Sequence, residues 1–378
     1  MGETLKTAGF VAAALVAVST AVVIQPANFA PRIMSDQGQL FYPKFIDPQS
    51  VKTIEVVDYD EATATARPFQ VKFEHGRWVL PASQNYPVDA GDRLVKTAAA
   101  LMDLRKDLVR SDAPLDQPKL GVVDPLDQKA AGLTGRGKRV TLRDARGDVL
   151  ADYILGKPVE GKQGYRYVRV PGEKRTYAVK TDADPSARFS DWVNSGILRI
   201  PAASIRKVAI HSYTLDESSG TLANLDSITL THEDGQWKMS GAEKLNTAAI
   251  DAMAATLDNL KIVDVRAKPP TLAHDLKNAE LRLSIETAVS LRQKGFFVTP
   301  EGHLLASAGE MTIETAAGAA YTLRFGEAAT GDGKADNRYL FATVSGNPAL
   351  NAKFSDWYYV IANADFEKLR LKKKDIAR

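Results

Sequence analysis

Glu74-His75-Gly76-Arg77-Trp78 comes back later in the chain as Glu233-Asp234-Gly235-Gln236-Trp237. In the first occurrence, Phe69-Gln70-Val71-Lys72-Phe73-Glu74 alternates apolar and polar, His75-Gly76 breaks the run, and Trp78-Val79-Leu80 resumes it. Alternation on both sides of a two-residue break containing glycine is a β-hairpin signal. A hairpin that recurs is a reason to look for a repeat before anything else, because a repeat sets the fold. Other matches keep the same order. Leu101-Met102-Asp103-Leu104 corresponds to Leu257-Asp258-Asn259-Leu260, and Val109-Arg110 to Val265-Arg266. Leu155-Gly156 corresponds to Phe325-Gly326, Arg166-Tyr167 to Arg338-Tyr339, and Phe189-Ser190-Asp191-Trp192 to Phe354-Ser355-Asp356-Trp357. The separation between partners widens part-way along. Two diverged copies, the second carrying an insertion around Leu283 to Gly309, produce this pattern. Two unrelated α+β domains sharing hairpin grammar are the competing account.

Within copy one, Val51 to Val56 reads as a strand, the hairpin follows, and Asp89 is placed to cap a helix. That helix carries Leu94, Val95, Ala98, Leu101, Met102 and Leu108 on one stripe, which gives a wet face and a buried one. Further hairpins are expected over Val140 to Leu155 and Tyr165 to Val179, then a short helix around Ser186 to Ser195. Copy two repeats the scheme, with Ile250, Met253, Ala254, Leu257 and Leu260 on its helix. The expected fold class is α+β: a tandem duplication of a mainly antiparallel sheet module covered by one long helix, behind an N-terminal transmembrane helix. The expected boundaries are 1–25 for a membrane anchor, 26–50 for a tether, 51–200 and 201–371 for the two modules, and 372–378 for a basic tail.

The compartment is read from the N-terminus. Ala8 to Ile24 is an uncharged, mostly apolar run. At 1.5 Å per residue it falls slightly short of a hydrocarbon core of roughly 30 Å, so flanking residues must help it span. A cleaved signal peptide is the alternative, but the nearest site places Asn28 at −3 and Pro31 just beyond, which is poor. The expectation is an uncleaved single-pass anchor in a bacterial inner membrane, with the bulk of the chain periplasmic. Pro26, Pro31, Pro43 and Pro48 punctuate the tether and argue for a stiff spacer.

Composition narrows the function. A net charge of +3 gives no footprint for nucleic acid, so no nucleic-acid partner is expected. The absence of cysteine removes thiol nucleophiles, disulfides and cysteine metal sites. The five histidines form no HExxH and no i, i+4 pair, and His75 and His232 read as solvated turn residues. Ser204-Ile205-Arg206-Lys207 matches an SxxK string without its partner strings, and Thr134 to Lys138 lacks phosphate-loop spacing. Asp332 to Asn337 has oxygen ligands without the calcium-loop order. No catalytic residue, cofactor or metal is therefore expected. The candidate packing or interaction residues are Trp78, Trp237, Phe189, Trp192, Phe354 and Trp357. The FSDW box fits a helix start, with Ser or Asp capping and Trp packing back on the sheet, or else an exposed aromatic patch for a partner.

These landmarks resemble the bacterial family known as domain of unknown function 4340. Gly76-Arg77-Trp78, Tyr86-Pro87-Val88-Asp89, Leu155-Gly156, Arg166-Tyr167-Val168 and Thr176-Tyr177-Ala178-Val179 carry the resemblance in copy one. Gly295 to Leu305 and Tyr321 to Gly326 carry a longer variant of it in copy two. The resemblance implies a membrane-anchored envelope protein associated with ABC transporters of the gliding-motility auxiliary type. It implies inner-membrane partners, namely permease or auxiliary subunits, and carries over no site residue. The function expected is a non-enzymatic accessory or scaffold protein of such a transporter. An envelope protein binding a small molecule or glycan, acting without a transporter, is the alternative; a pocket between the modules lined by Trp and Tyr would favour it.

Overall fold

The computed structural model describes residues 36–377 apart from Ala90, 130–131, 217–220, Glu243, 279–283, 300–301 and 330–336. The anchor expected over Ala8 to Ile24, the first part of the expected tether, and Asp332 to Asp336 of the oxygen-rich stretch lie outside the described residues. Among the described residues no helix is long and apolar enough to cross a membrane.

Two large sheets carry the fold. The first contains β1 (Thr53–Asp60), β2 (Thr65–Glu74), β3 (Arg77–Leu80), β4 (Tyr86–Pro87), β5 (Leu108–Ser111), β6 (Lys138–Arg143), β7 (Val149–Pro158), β8 (Tyr165–Arg169) and β9 (Thr176–Lys180). Its spatial order is β4-β3-β2-β1-β6-β7-β8-β9-β5. The second contains β10 (Ile205–Asp216), β11 (Thr221–Glu233), β12 (Gln236–Met239) and β13 (Ile262–Ala267). A small separate hairpin follows, β14 (Phe296–Val298) with β15 (Leu304–Ala306). The second sheet is completed by β16 (Glu310–Thr315), β17 (Ala320–Ala328), β18 (Asn337–Ser345) and β19 (Trp357–Ala362). Its order is β12-β11-β10-β16-β17-β18-β19-β13. The orders coincide strand for strand once β4 is set aside. The fold is mixed α and β, with antiparallel pairing throughout both sheets among the described residues.

Register places several sequence landmarks at like positions. Trp78 lies opposite Phe73, and Trp237 lies opposite His232, one residue beyond matching two-residue turns. His75-Gly76 and Asp234-Gly235 all take positive φ, the type I′ geometry whose twist suits a hairpin. Val109 faces Tyr177 as Val265 faces Tyr359. Leu155 faces Val168 as Phe325 faces Leu340, and each pair is followed by the same register shift. The shift has a physical cause. At Gly156 a Cβ would sit 2.7 Å from the Leu120 carbonyl oxygen, and at Gly326 it would collide with the Lys294 carbonyl. A chain segment crosses each bulge where only glycine leaves room. The glycine carbonyl left outside the ladder is then taken by an arginine. Arg166 Nη2 donates to Gly156 O at 3.0 Å and Arg338 Nη1 to Gly326 O at 2.6 Å.

The helices differ from expectation in extent. Gly91–Met102 and Thr247–Asp258 are three-turn helices that link opposite edges of their sheets. The first buries Leu94, Ala98 and Leu101 but exposes Val95, and Leu108 belongs to β5, so the stripe is narrower than the sequence suggested. Around Ser186 to Ser195 there is only a 3-10 turn, Phe189–Asp191, because Pro185 and Gly196 bracket too short a run. The insertion in the second half forms helices Pro270–Lys277 and Ile285–Arg292 with the β14–β15 hairpin. It has its own small core of Leu272, Leu291, Phe296, Ala306, Phe341 and Tyr358.

Both ends of the described chain depart from expectation as well. Residues 36–50 are not a free tether: Phe41 and Phe45 are buried, and Tyr42 donates its hydroxyl to the Asp152 carbonyl at 2.7 Å. Prolines stiffen this stretch, but its aromatics have a core to enter. The basic tail is likewise docked. Lys373–Ile376 is a short helix, Ile376 is fully buried, and Asn246 N–H donates to Ile376 O at 2.8 Å. A single apolar residue in a basic run was enough to seat it, while Lys373 and Lys374 stay exposed.

The two sheets are joined, not strung. The outer edge of β13 is capped by the loop after β3: Ser83 Oγ donates to Asp264 at 3.1 Å and Ala267 N–H to Gln84 Oε1 at 2.5 Å. The connecting segment adds Ile262 N–H to Ser195 O at 2.8 Å and Ile200 N–H to Leu257 O at 3.0 Å. The main apolar core runs continuously from Ile54 and Val140 in the first half to Met311 and Ile361 in the second.

Candidate functional site

The six aromatic candidates separate into two groups. Trp78 and Trp237 are half-buried at equivalent places, each beside the start of its module's helix. Trp78 packs edge-on against Phe73 at 5.6 Å, and Trp237 packs tilted by 30° against His232 at 4.6 Å. His232 is thus a strand residue packed on an aromatic, not a solvated turn residue. Each tryptophan lines a groove of its own. One, about 370 Å³, lies with Lys52, Gly91 and Val95; the other, about 640 Å³, with Met239, Thr247 and Asp251.

The FSDW boxes behave differently. Phe189-Ser190-Asp191-Trp192 follows β9, whereas Phe354 and Ser355 end the Pro348–Ser355 helix and Trp357 opens β19. Since β9 and β19 hold the same place in their sheets, the two boxes are not equivalent. Neither starts an α-helix as expected, and in the second box the string ends one. Their burial is also exchanged. Trp192 and Phe354 are fully buried; Phe189 and Trp357 are half-buried. Trp192 donates Nε1–H to Ser186 O at 3.0 Å and stacks with Phe69 at 6.0 Å. Asp191 is held below the usual carboxylate range, chiefly by the Ser186 hydroxyl, with Arg188 assisting.

What the boxes do share is a location. Phe189 and Trp357 converge on Tyr86, at 5.9 Å and 4.9 Å between ring centroids, where β4 of one sheet meets β19 and β13 of the other. A groove of about 390 Å³ opens here, lined by Tyr86 to Asp89, Asn194, Ile197, Lys353, Asp356, Trp357 and Tyr359. Its first wall is fixed by backbone: Val88 N–H donates to Trp78 O and Asp89 N–H to Trp192 O, both at 2.9 Å. Burial pushes the Tyr86 hydroxyl up to about 12, with the nearby Asp89 charge adding to the shift. Tyr359, deeper still, is raised by burial as well. Both phenols are therefore neutral donors at ordinary pH. Asp356 is ion-paired with Lys277 at 2.5 Å.

Next to the groove the structure buries a charge. Lys268 is 4 % exposed, donates Nζ–H to Phe354 O at 2.8 Å, and lies 3.9 Å from the centre of the Phe341 ring. Burial drives its amine well below the usual lysine value, against the weaker pull of Asp356. Nothing in Ala267-Lys268-Pro269-Pro270 signals this; it follows from packing of the insertion. Among the described residues no three His, Asp or Glu side chains gather as metal ligands. Ser204 donates its hydroxyl to Pro201 O and Lys207 pairs with Glu314, so the SxxK string brings no nucleophile to a base. Thr134 and Gly135 form a bend before β6, and Lys138, the first residue of that strand, is paired to Asp184.

The family model described as a domain of unknown function (DUF4340) matches residues 78–282, more than half of the chain. The chain is a member of the DUF4340 family. No curated protein and no solved structure matches it. The DUF4340 match begins at Trp78 in β3 and ends beyond the Pro270–Lys277 helix. It therefore covers the β3–β4 corner, the 193–204 connection and β13, but not β19, which brings Trp357 to the joint. In the sequence Tyr86-Pro87-Val88-Asp89 is legible only as a family landmark. The cue to a site was the exposed Asp89 and Asn194 beside aromatic residues, which only the joint brings together.

Proposed function

We propose that this protein is a membrane-anchored, non-enzymatic scaffold of the bacterial envelope, built from two diverged copies of one module and serving as an accessory subunit of an ABC transporter of the gliding-motility auxiliary type. The observation that carries the scaffold reading is the joint. Two sheets of like strand order are locked by cross-sheet hydrogen bonds and a continuous core into one body. Such a body presents fixed surfaces to partners, and among the described residues its outer strands β5 and β12 each have one edge without a sheet partner, open to strand addition.

Docking of residues 36–50 brings the reading into tighter geometry. With an anchor at Ala8 to Ile24, only residues 25–35 separate the bilayer from the first module. At no more than about 3.6 Å per residue that is a reach of at most about 40 Å. The first module then stands close to the extracytoplasmic face of an integral partner. Single-pass topology is tested by a reporter fused after Arg378, which is expected to be active only outside the cytoplasm. Partnership is tested by crosslinking in native membranes and purification in mild detergent. Permease or auxiliary subunits are expected to co-migrate; recovery of a lone monomer free of the membrane overturns the reading. The groove at the joint, with Tyr86, Trp357 and Tyr359 in its walls, is the one observation that favours the ligand-binding alternative.

A further inference from the structure

Three polar side chains at the joint lack, among the described residues, the partners that their chemistry calls for. Asp89, Asn194 and Lys353 line the groove from three separate segments and make no side-chain hydrogen bond or ion pair among the described residues. All three are exposed. Between them stands Trp357, braced from behind by the Tyr86 ring at 75° and half open to the groove. The aromatic supplies a flat apolar surface held in place. Asn194 offers both donor and acceptor atoms, Asp89 only acceptors, and Lys353 only donors.

This combination selects among ligand classes. An anion would face two carboxylates, Asp89 and Asp356, against one uncommitted lysine. A purely apolar ligand would cover Asp89, Asn194 and Lys353 and leave them unbonded, at about 1–3 kcal/mol for each group so buried. A hydroxyl-rich ring has neither fault. Its hydroxyls donate and accept, and the C–H face of a pyranose lies flat on an indole. A volume of about 390 Å³ lies within the roughly 300–1,000 Å³ usual for small-ligand sites. The walls are also preformed, because Val88 and Asp89 are tied by main-chain hydrogen bonds and Trp357 sits in a strand. Preformed walls reduce the ordering cost that otherwise offsets weak polar contacts.

We propose that the groove at the joint is a carbohydrate site, in which a pyranose ring stacks on Trp357 and its hydroxyls bond to Asp89, Asn194 and Lys353. The site is independent of the transporter partnership and belongs to the joint, not to either module. Leu245, at the same spacing after Trp237 as Tyr86 after Trp78, is instead bridged to Ala377.

The test uses the full chain purified in an amine-oxide detergent, since the head group of a maltoside would compete. Maltose, cellobiose and N,N′-diacetylchitobiose are titrated by calorimetry and by tryptophan fluorescence. At least one is expected to bind saturably with a Kd of about 1 mM or tighter. Asn194→Ala and Trp357→Ala are each expected to weaken it by about tenfold or more. Trp357→Phe is expected to keep part of the affinity, and Trp78→Phe all of it. Asn194 is exposed, so its variant is expected to melt with the wild type and separates lost binding from lost folding. No saturable binding by any of the three sugars, or binding unchanged in both Asn194→Ala and Trp357→Ala, overturns the proposal. Neither result alters what co-purifies with the chain, so the scaffold reading stands or falls separately.

Discussion

A lysine amine sealed among aromatic rings is the least expected side chain in this protein. Lys268 has one hydrogen-bond acceptor, the Phe354 carbonyl, and that carbonyl also accepts the Asp356 N–H. Removing the amine therefore leaves no backbone group orphaned. Replacing a buried charge by an apolar side chain of similar length is commonly neutral or stabilising, because the desolvation cost disappears. The Phe341 contact is lost in exchange, a smaller term of about 1–2 kcal/mol. Lys268→Met is expected to raise stability at neutral pH by on the order of 1–3 kcal/mol. The pH dependence follows from the direction of the shift. The folded amine binds a proton less readily than the unfolded one, whose ordinary value is 10.5. Unfolding below that value takes up a proton, so the wild type gains stability as pH rises toward 10.5 and loses it as pH falls toward the depressed folded value. Urea unfolding between about pH 7 and 9.5 reads this before the tyrosines of the unfolded chain ionise. The wild-type curve is expected to rise more steeply than that of Lys268→Met. Equal slopes, or a variant less stable than the wild type, would show that burial does not disfavour the protonated amine as the packing implies.

At the scale of elements, the glycine–arginine bulge explains why some landmarks persist and others mislead. Gly326 admits the Lys294 carbonyl, which accepts Glu327 N–H at 2.9 Å and so seats the β14–β15 unit on β17. Gly326→Ala places a methyl group against that carbonyl. The expected cost is about 2–3 kcal/mol, the upper part of the usual overpacking range. Amide exchange is expected to quicken in Phe296–Val298 and Leu304–Ala306, with little change in β1 or β6. Uniform quickening across the sheet would count against a seat at Gly326. Leu155-Gly156 and Arg166-Tyr167 were legible as one half of a repeat because a backbone crossing fixes glycine and an exposed carbonyl fixes arginine. The EHGRW and EDGQW turns were legible because type I′ geometry demands residues that tolerate positive φ. Phe189 to Trp192 and Phe354 to Trp357 share their four residues, yet they occupy different places. No backbone rule fixes those four residues, so identity there reports no shared position. Packing also overrode local signals at Phe41, Phe45 and Ile376, where proline or lysine in the neighbourhood suggested free chain. Of the groove, the sequence pointed to Trp357 but not to Tyr86, Asp89, Asn194 or Lys353 as site residues. They lie on segments far apart in sequence that only the joint brings together.

The whole molecule is expected to behave as one cooperative unit despite its two sheets. Independent modules on a linker would share few apolar contacts, and each would keep a core of its own. Here a single core passes from Val56 and Leu142 through Leu198 and Ile200 to Leu257 and Ile361. The exposed edge of β13 takes Ser83 and Gln84 from the other half, and the Arg199–Asp258 pair at 2.9 Å closes the rim. Each cross-sheet hydrogen bond contributes only about 0.5–1.5 kcal/mol. The larger share comes from Tyr86, 6 % exposed, whose ring fills the corner between Phe189 and Trp357. Scanning calorimetry of the wild type is expected to give one transition, with calorimetric and van't Hoff enthalpies in agreement. Tyr86→Ala removes the corner residue, at a cost on the order of 3 kcal/mol by analogy with other buried aromatics. With the corner emptied, the second sheet retains its own helix, insertion and docked C-terminus and is expected to unfold apart from the first. The variant is therefore expected to show a broadened or split transition, with tryptophan fluorescence and far-ultraviolet circular dichroism no longer coincident. Two resolved transitions in the wild type would mean that the joint transmits little stability. A single, unshifted transition in Tyr86→Ala would mean that the corner is held by something other than this ring.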